Sequence, residues 1–311
     1  MRTNIKQGSG PSVDFSNPPG APAYCAPDSM QWRIYKNPIA LGIGGICAVL
    51  LEFADPRIRS GVWDHSTYKI DPIGRSQRTG LAAMVGVYAQ RETAEKMIAG
   101  ITRLHHKVEG KTPAGQSYRA MDPELLNWVY ATASYGFVTA YDRFVCRLTD
   151  DEKDRFWNGG GELAALYGVT RTAKSEADFM VMMEALAPGF ESHPINTEFL
   201  DIAQNSDSVG GIPLFVKRAI TRASVSLLPP LVREKLALGK TWDLTLFDRM
   251  LLKVMGQLAE RKFDPESAPA LASERLGLPA NFLWQSHNRQ QTLLENAGLD
   301  GRAPAGVQGV H

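Results

Sequence analysis

Cysteine is scarce in this chain. Cys25, Cys47 and Cys146 are the three present in 311 residues. An odd number, widely spaced, gives neither a disulfide framework nor a cysteine-based metal site, and fits a reducing compartment. Charge of one sign is lacking too. A formal net charge of +1, with no long basic run, leaves no electrostatic footprint for nucleic acid. Long apolar runs are missing: the most apolar stretch, from Ile39 to Ala54, contains Glu52 and falls short of the roughly 20 residues of a membrane span. A buried core helix is expected there, and no transmembrane segment. The first 28 residues are polar and rich in Gly and Pro, without the apolar core of a signal peptide, so a cytoplasmic protein is expected. HExxH, CxxC, GxSxG and GxxxxGK[ST] are all absent. So is a helix pair with Glu-x-x-His, which disfavours a carboxylate-bridged di-iron bundle.

What is present reads as helix. Apolar residues at 44% and charged residues at 22% are ordinary for a soluble globular chain. DPELLNWVYATASYGFVTAYDRFV opens with Asp122 as N-cap, Pro123 at the first helical position and Glu124 in the first turn. Thr149 and Glu152 form a capping-box pattern, and Gly159, Gly160 and Gly161 then break the helix they start. The glycines of GIGGIC sit inside a helical pattern and are read as close helix packing. SEADFMVMMEALAP and LTLFDRMLLKVMGQLAERKF are further amphipathic helices, and no stretch alternates with the period of a strand. The expected fold is all-α. It comprises a Pro/Gly-rich N-terminal arm over 1–28, a single helical domain over 29–290 and a disordered tail over 291–311.

Two of the six histidines stand side by side in ITRLHHKVEG. At about 100° per residue, with Met97 at zero, Ile101 falls at about 40°, Leu104 at about −20°, Val108 at about 20° and His105 at about 80°. These form one apolar face with His105 on its edge, whereas His106, at about 180°, points to solvent. A core histidine satisfied by a carbonyl or carboxylate has the same spacing as a ligand, so spacing alone leaves both readings of His105 open.

Three motifs in order carry more. LLEFADPRIRSGVWDHSTYKIDPIGRSQRT, then RLHHKVEG, then GQSYRAMDPELLNWVYAT resemble the family of the rubber oxygenase (latex clearing protein) and the mycophenolic-acid-pathway oxygenase. The resemblance covers about 30–260. It rests on Asp71-Pro72 followed by Arg75, Arg78 and Thr79; on His-x-x-Val-x-Gly at His105, Val108 and Gly110; and on Tyr118 followed by Asp122 to Leu126, Trp128 and Val129.

The resemblance implies a haem b protein with a globin-like helical core and His105, not His106, as the axial iron ligand. It also implies that Arg75, Arg78 and Thr79 are cofactor-binding and catalytic residues on the distal side, where guanidiniums pair haem propionates or polarise bound oxygen; surface salt bridges are the alternative role for these residues. The rubber oxygenase has lysine where this chain has Arg78. Arginine stays protonated and offers iron no lone pair, so Arg78 is not expected to ligate the metal. Other departures are Asp55-Pro56 in place of His-Pro, and Tyr130 in place of a histidine after Trp128-Val129. Tyr130 is expected as a packed aromatic, with a distal acid or hydrogen-bond donor as the alternative. The expected function is a haem-dependent oxygenase or related oxidoreductase acting on a hydrophobic small molecule with dioxygen or peroxide. A peroxidase- or peroxygenase-like enzyme and a non-catalytic haem-binding or sensor protein are the alternatives.

Overall fold

The structure is a computed structural model describing residues 13–205 and 211–299. Helices α1 (Met30–Tyr35), α2 (Pro38–Phe53), α3 (Pro56–His65), α4 (Pro72–Tyr88) and α5 (Arg91–His105) come first. A hairpin of β1 (Glu109–Lys111) and β2 (Ser117–Arg119) follows, with Gly110 opposite Tyr118. Then come α6 (Pro123–Phe144), α7 (Asp150–Asn158), α8 (Gly161–Leu166), α9 (Glu176–Leu186) and α10 (Pro194–Asn205). The chain continues through α11 (Leu214–Leu227), α12 (Pro230–Lys235), α13 (Leu246–Arg261), α14 (Ala268–Arg275) and α15 (His287–Ala297). The fold is all-α, at 68% helix with one two-stranded sheet.

The helix ends follow local chemistry. The Asp122 carboxylate accepts from Glu124 N–H, with Pro123 at the first helical position. Thr149 and Glu152 close a reciprocal capping box at α7, satisfying two backbone donors the helix cannot. Gly160, at φ +74°, makes the break between α7 and α8 in the left-handed region that glycine enters without a steric penalty.

The apolar stretch is α2, the central helix of the main core. It packs along α6 and touches α11 and α13, burying Ile43, Cys47, Leu50, Leu51 and Phe53. The two central helices cross where neither has a side chain: a Cβ on Gly44 would stand 2.6 Å from the Gly136 carbonyl oxygen. Among the described residues no single helix is long and apolar enough to cross a membrane.

A second cluster joins α1, α4, α5 and α14 through Trp32, Val85, Tyr88, Ile98 and Ala272. Phe15, Ala23 and Cys25 are buried in it, so the Pro/Gly-rich segment from residue 13 onward is packed against the domain. Arg275 clamps it there. Its buried guanidinium donates to the carbonyls of Phe15 (2.7 Å), Ala21 (2.9 Å) and Tyr88 (2.7 Å). At the other end, α15 continues past residue 290 and buries Leu294, because that leucine completes the same cluster. The rest of the expected arm and tail, residues 1–12 and 300–311, lies outside the described residues.

Candidate active site

The motif residues lie on α4, at the end of α5 and on the hairpin that packs on α3. The α5 helix ends at His105, with His106 as its C-cap, so Val108 belongs to the hairpin and not to the helix. This corrects the apolar face drawn from the sequence. Leu104 is 64% exposed. The inward stripe is instead Ala94 and Ile98, buried, with Met97, Ile101 and His105 partly buried. On the same wheel these fall between about 0° and 100°, which places His105 inside the buried arc and Leu104 outside it. His106 is exposed.

The hairpin explains the motif around His105. Val108 packs 3.6 Å from where a Cβ on Gly61 of α3 would stand. Gly110 leaves room for Tyr118: a Cβ there would lie 2.6 Å from the Tyr118 hydroxyl. That hydroxyl donates to Asp64 Oδ2 at 3.1 Å. Val108, Gly110, Tyr118 and Asp64 thus fasten the end of α5 to α3. The sequence could not show this, because three-residue strands carry no readable period.

His105 makes no side-chain hydrogen bond among the described residues. Burial lowers its pKa below the ordinary histidine value, and a positive neighbouring His106 acts in the same direction. A lowered pKa favours the neutral imidazole, the form that offers a lone pair to a metal.

Arg75 lies partly buried in α4. Desolvation lowers its pKa, opposed by the nearby Glu52 carboxylate and Tyr68. Glu52, in the last turn of α2, is a functional candidate missed in the sequence. Burial raises its pKa to about 7, against the pull of Arg75 and of the Thr132 hydroxyl, which donates to Glu52 Oε1 at 3.3 Å. The buried Tyr68 hydroxyl, near Arg75 and Glu198, has no hydrogen-bond partner among the described residues. A lone acid in an apolar run was the available signal, but its cation comes from a different helix.

Arg78 and Thr79 are exposed. Arg78 donates to Thr67 Oγ1 at 2.6 Å and pairs with Asp71 Oδ2 at 3.3 Å. Asp71 also caps α4 through Gly74 N–H. Thr79 donates to the Arg75 carbonyl at 3.0 Å. Arg75, Arg78 and Thr79 share α4, which packs against α5, but no hydrogen bond or ion pair among the described residues joins them to His105. Tyr130 donates to the Gly160 carbonyl at 3.1 Å, tying α6 to the break between α7 and α8.

The family model for the ER-bound oxygenase mpaB/B'/rubber oxygenase catalytic domain matches residues 32–260. The chain belongs to this oxygenase family. The catalytic domain so defined runs from α1 to the last turn of α13 and contains every residue of the site above. No curated protein and no solved structure gives a match. Among the described residues no group of three or more His, Cys, Asp or Glu is gathered to hold a metal ion. The donor set of this oxygenase domain fits haem on other grounds. A porphyrin brings its own nitrogens and asks the protein for an axial imidazole, and the partly buried His105 side chain makes no hydrogen bond among the described residues.

Proposed function

We propose that this chain is a haem b-dependent oxygenase acting on a hydrophobic small molecule, with His105 as axial ligand. The observation that carries the reading is the partly buried His105 imidazole, which has no hydrogen-bond partner among the described residues and stands at a helix end fastened by the hairpin. Its family's oxygenase catalytic domain supports it. Haem would supply the activation of dioxygen. A globin-like arrangement of the pocket helices belongs to the same proposal.

The chain's own residues have separate tasks in this reading. The hairpin fastens the end of α5 that carries His105 to α3. Arg75 places a permanent positive charge beside Glu52, where it can meet a propionate or a polar substrate oxygen. Glu52, with a pKa of about 7, can hold or release a proton at neutral pH, the property a general acid or base needs. Arg78 and Thr79 extend the polar edge of α4. The substrate is taken to be hydrophobic because the helices around the site meet through apolar side chains such as Leu81, Met84 and Met97. The test is the absorption spectrum of purified, haem-supplied protein: a Soret band is expected, and its absence would defeat the reading.

A further inference from the structure

The outer face of α13 is apolar and uncovered among the described residues. Leu246, Phe247, Met250, Val254 and Leu258 are each between 55% and 72% exposed. With Leu246 at zero, Met250, Val254, Phe247 and Leu258 fall at about 40°, 80°, 100° and 120°. The five form one stripe about 18 Å long at 1.5 Å per residue. A single exposed leucine needs no explanation, but a contiguous stripe does.

The charges around the stripe are of one sign. Arg249 and Lys253 flank one edge at about −60° and −20°, Arg261 lies among the apolar residues at about 60°, and Lys262 flanks the far edge at about 160°. All four are exposed. Of the two acids of the helix, Asp248 lies on the buried side, and Glu260, at about −40° between Arg249 and Lys253, turns its carboxylate inward. Asp248 is buried, bonded by Arg222 at 3.2 Å and capping α13 with Thr245. Glu260 is turned inward and held by Lys36, Tyr141 and Asn37, each at 2.9 Å. The exposed acids next in sequence lie off the helix: Asp243, paired with Arg233, and Asp264.

We propose that this face docks the protein on an anionic lipid bilayer. An apolar stripe flanked by Lys and Arg is the pattern of a helix lying in the interfacial plane, with apolar side chains entering the headgroup boundary and cations meeting lipid phosphates. Charge decides against a second copy of the chain, because a symmetric contact would bring the same four cations face to face. The inward side of α13 packs on α11, α2 and α6, so the helix is already formed and need not fold on binding. The inference does not depend on haem.

The experiment is co-sedimentation of the full chain with vesicles of phosphatidylcholine alone and of phosphatidylcholine mixed with phosphatidylserine. Binding to the mixed vesicles is expected, weakened by added salt and by omission of phosphatidylserine. Lys253→Ala should weaken it about fivefold, and Met250→Asp by about tenfold or more. Circular dichroism should show both variants folded, as neither side chain reaches the core. Failure of the wild-type chain to bind anionic vesicles at low salt would overturn the proposal. So would equal binding by Met250→Asp, or a wild-type dimer in sedimentation equilibrium that Met250→Asp dissociates.

Discussion

The Tyr118 hydroxyl donates to Asp64 Oδ2 across 3.1 Å, and this bond, with the packing of Val108 and the Tyr118 ring on Gly61, joins the hairpin after His105 to α3. Tyr118 itself is buried. Removing the hydroxyl keeps the ring and loses the bond, so Tyr118→Phe should cost about 1 kcal/mol. Gly110→Ala places a methyl group against the same hydroxyl and forces the ring to move, at a cost of about 1–3 kcal/mol. Thermal denaturation measures both. If the hairpin positions His105, Gly110→Ala should also loosen haem more than its loss of stability accounts for.

The crossing of α2 and α6 makes a sharper structural prediction. Gly44→Ala drives a Cβ into the backbone of Gly136 and Phe137, which cannot swing aside, and should destabilise by about 1–3 kcal/mol. Gly42→Ala, with nothing within 4 Å of the added Cβ, should be neutral or stabilising by up to about 1 kcal/mol. Equal effects in the two variants would contradict the crossing.

Much of this fold was legible in the chain. The caps at Asp122 and Thr149, the glycine break after α7 and the buried α2 all follow from local rules that need no partner. What was not legible depends on partners distant in sequence. Leu104 belongs to an apolar wheel by composition but is left outside by the direction from which α4 packs. The end of α5 at His105 is set by a hairpin too short to announce itself. Glu52 and Arg75 acquire their altered pKa values only when α2 and α4 come together. Arg75, Arg78 and Thr79 were found through a family motif, since their spacing on α4 also suits an exposed face, and two of the three are exposed.

Glu52 gives a pH test. Its folded pKa, about 7, lies above the ordinary value of 4.5, so the folded state binds the proton more tightly. The contribution is fully present below about pH 4.5 and is lost as pH rises through about 7, amounting to at most about 3 kcal/mol. His105, with its lowered pKa, contributes a slope of opposite sign below the ordinary histidine value. The difference between wild type and Glu52→Gln therefore isolates the carboxylate. Urea denaturation across pH 5 to 8 should show Glu52→Gln gaining on wild type as pH rises (roughly the window of that titration). A constant difference would mean that Glu52 is ionised throughout.

Arg75 is expected to matter through its charge. Arg75→Ala removes the cation that holds the Glu52 pKa down, so the carboxylate should titrate still higher, and haem should be retained less well through gel filtration. Arg75→Lys keeps the charge without the planar fork and should recover part of both effects. Identical behaviour of the two variants would assign Arg75 a packing role.

The most direct test sets the two adjacent histidines against each other. Each is changed to alanine in the haem-supplied protein, and the Soret band is measured beside far-ultraviolet circular dichroism. His105→Ala should lose the native band while keeping its helical signal. His106→Ala, exposed at the cap, should keep the band and change stability by no more than about 0.5 kcal/mol. A His105→Ala protein with the wild-type spectrum, or loss of the band in His106→Ala alone, would contradict the assignment of the axial ligand.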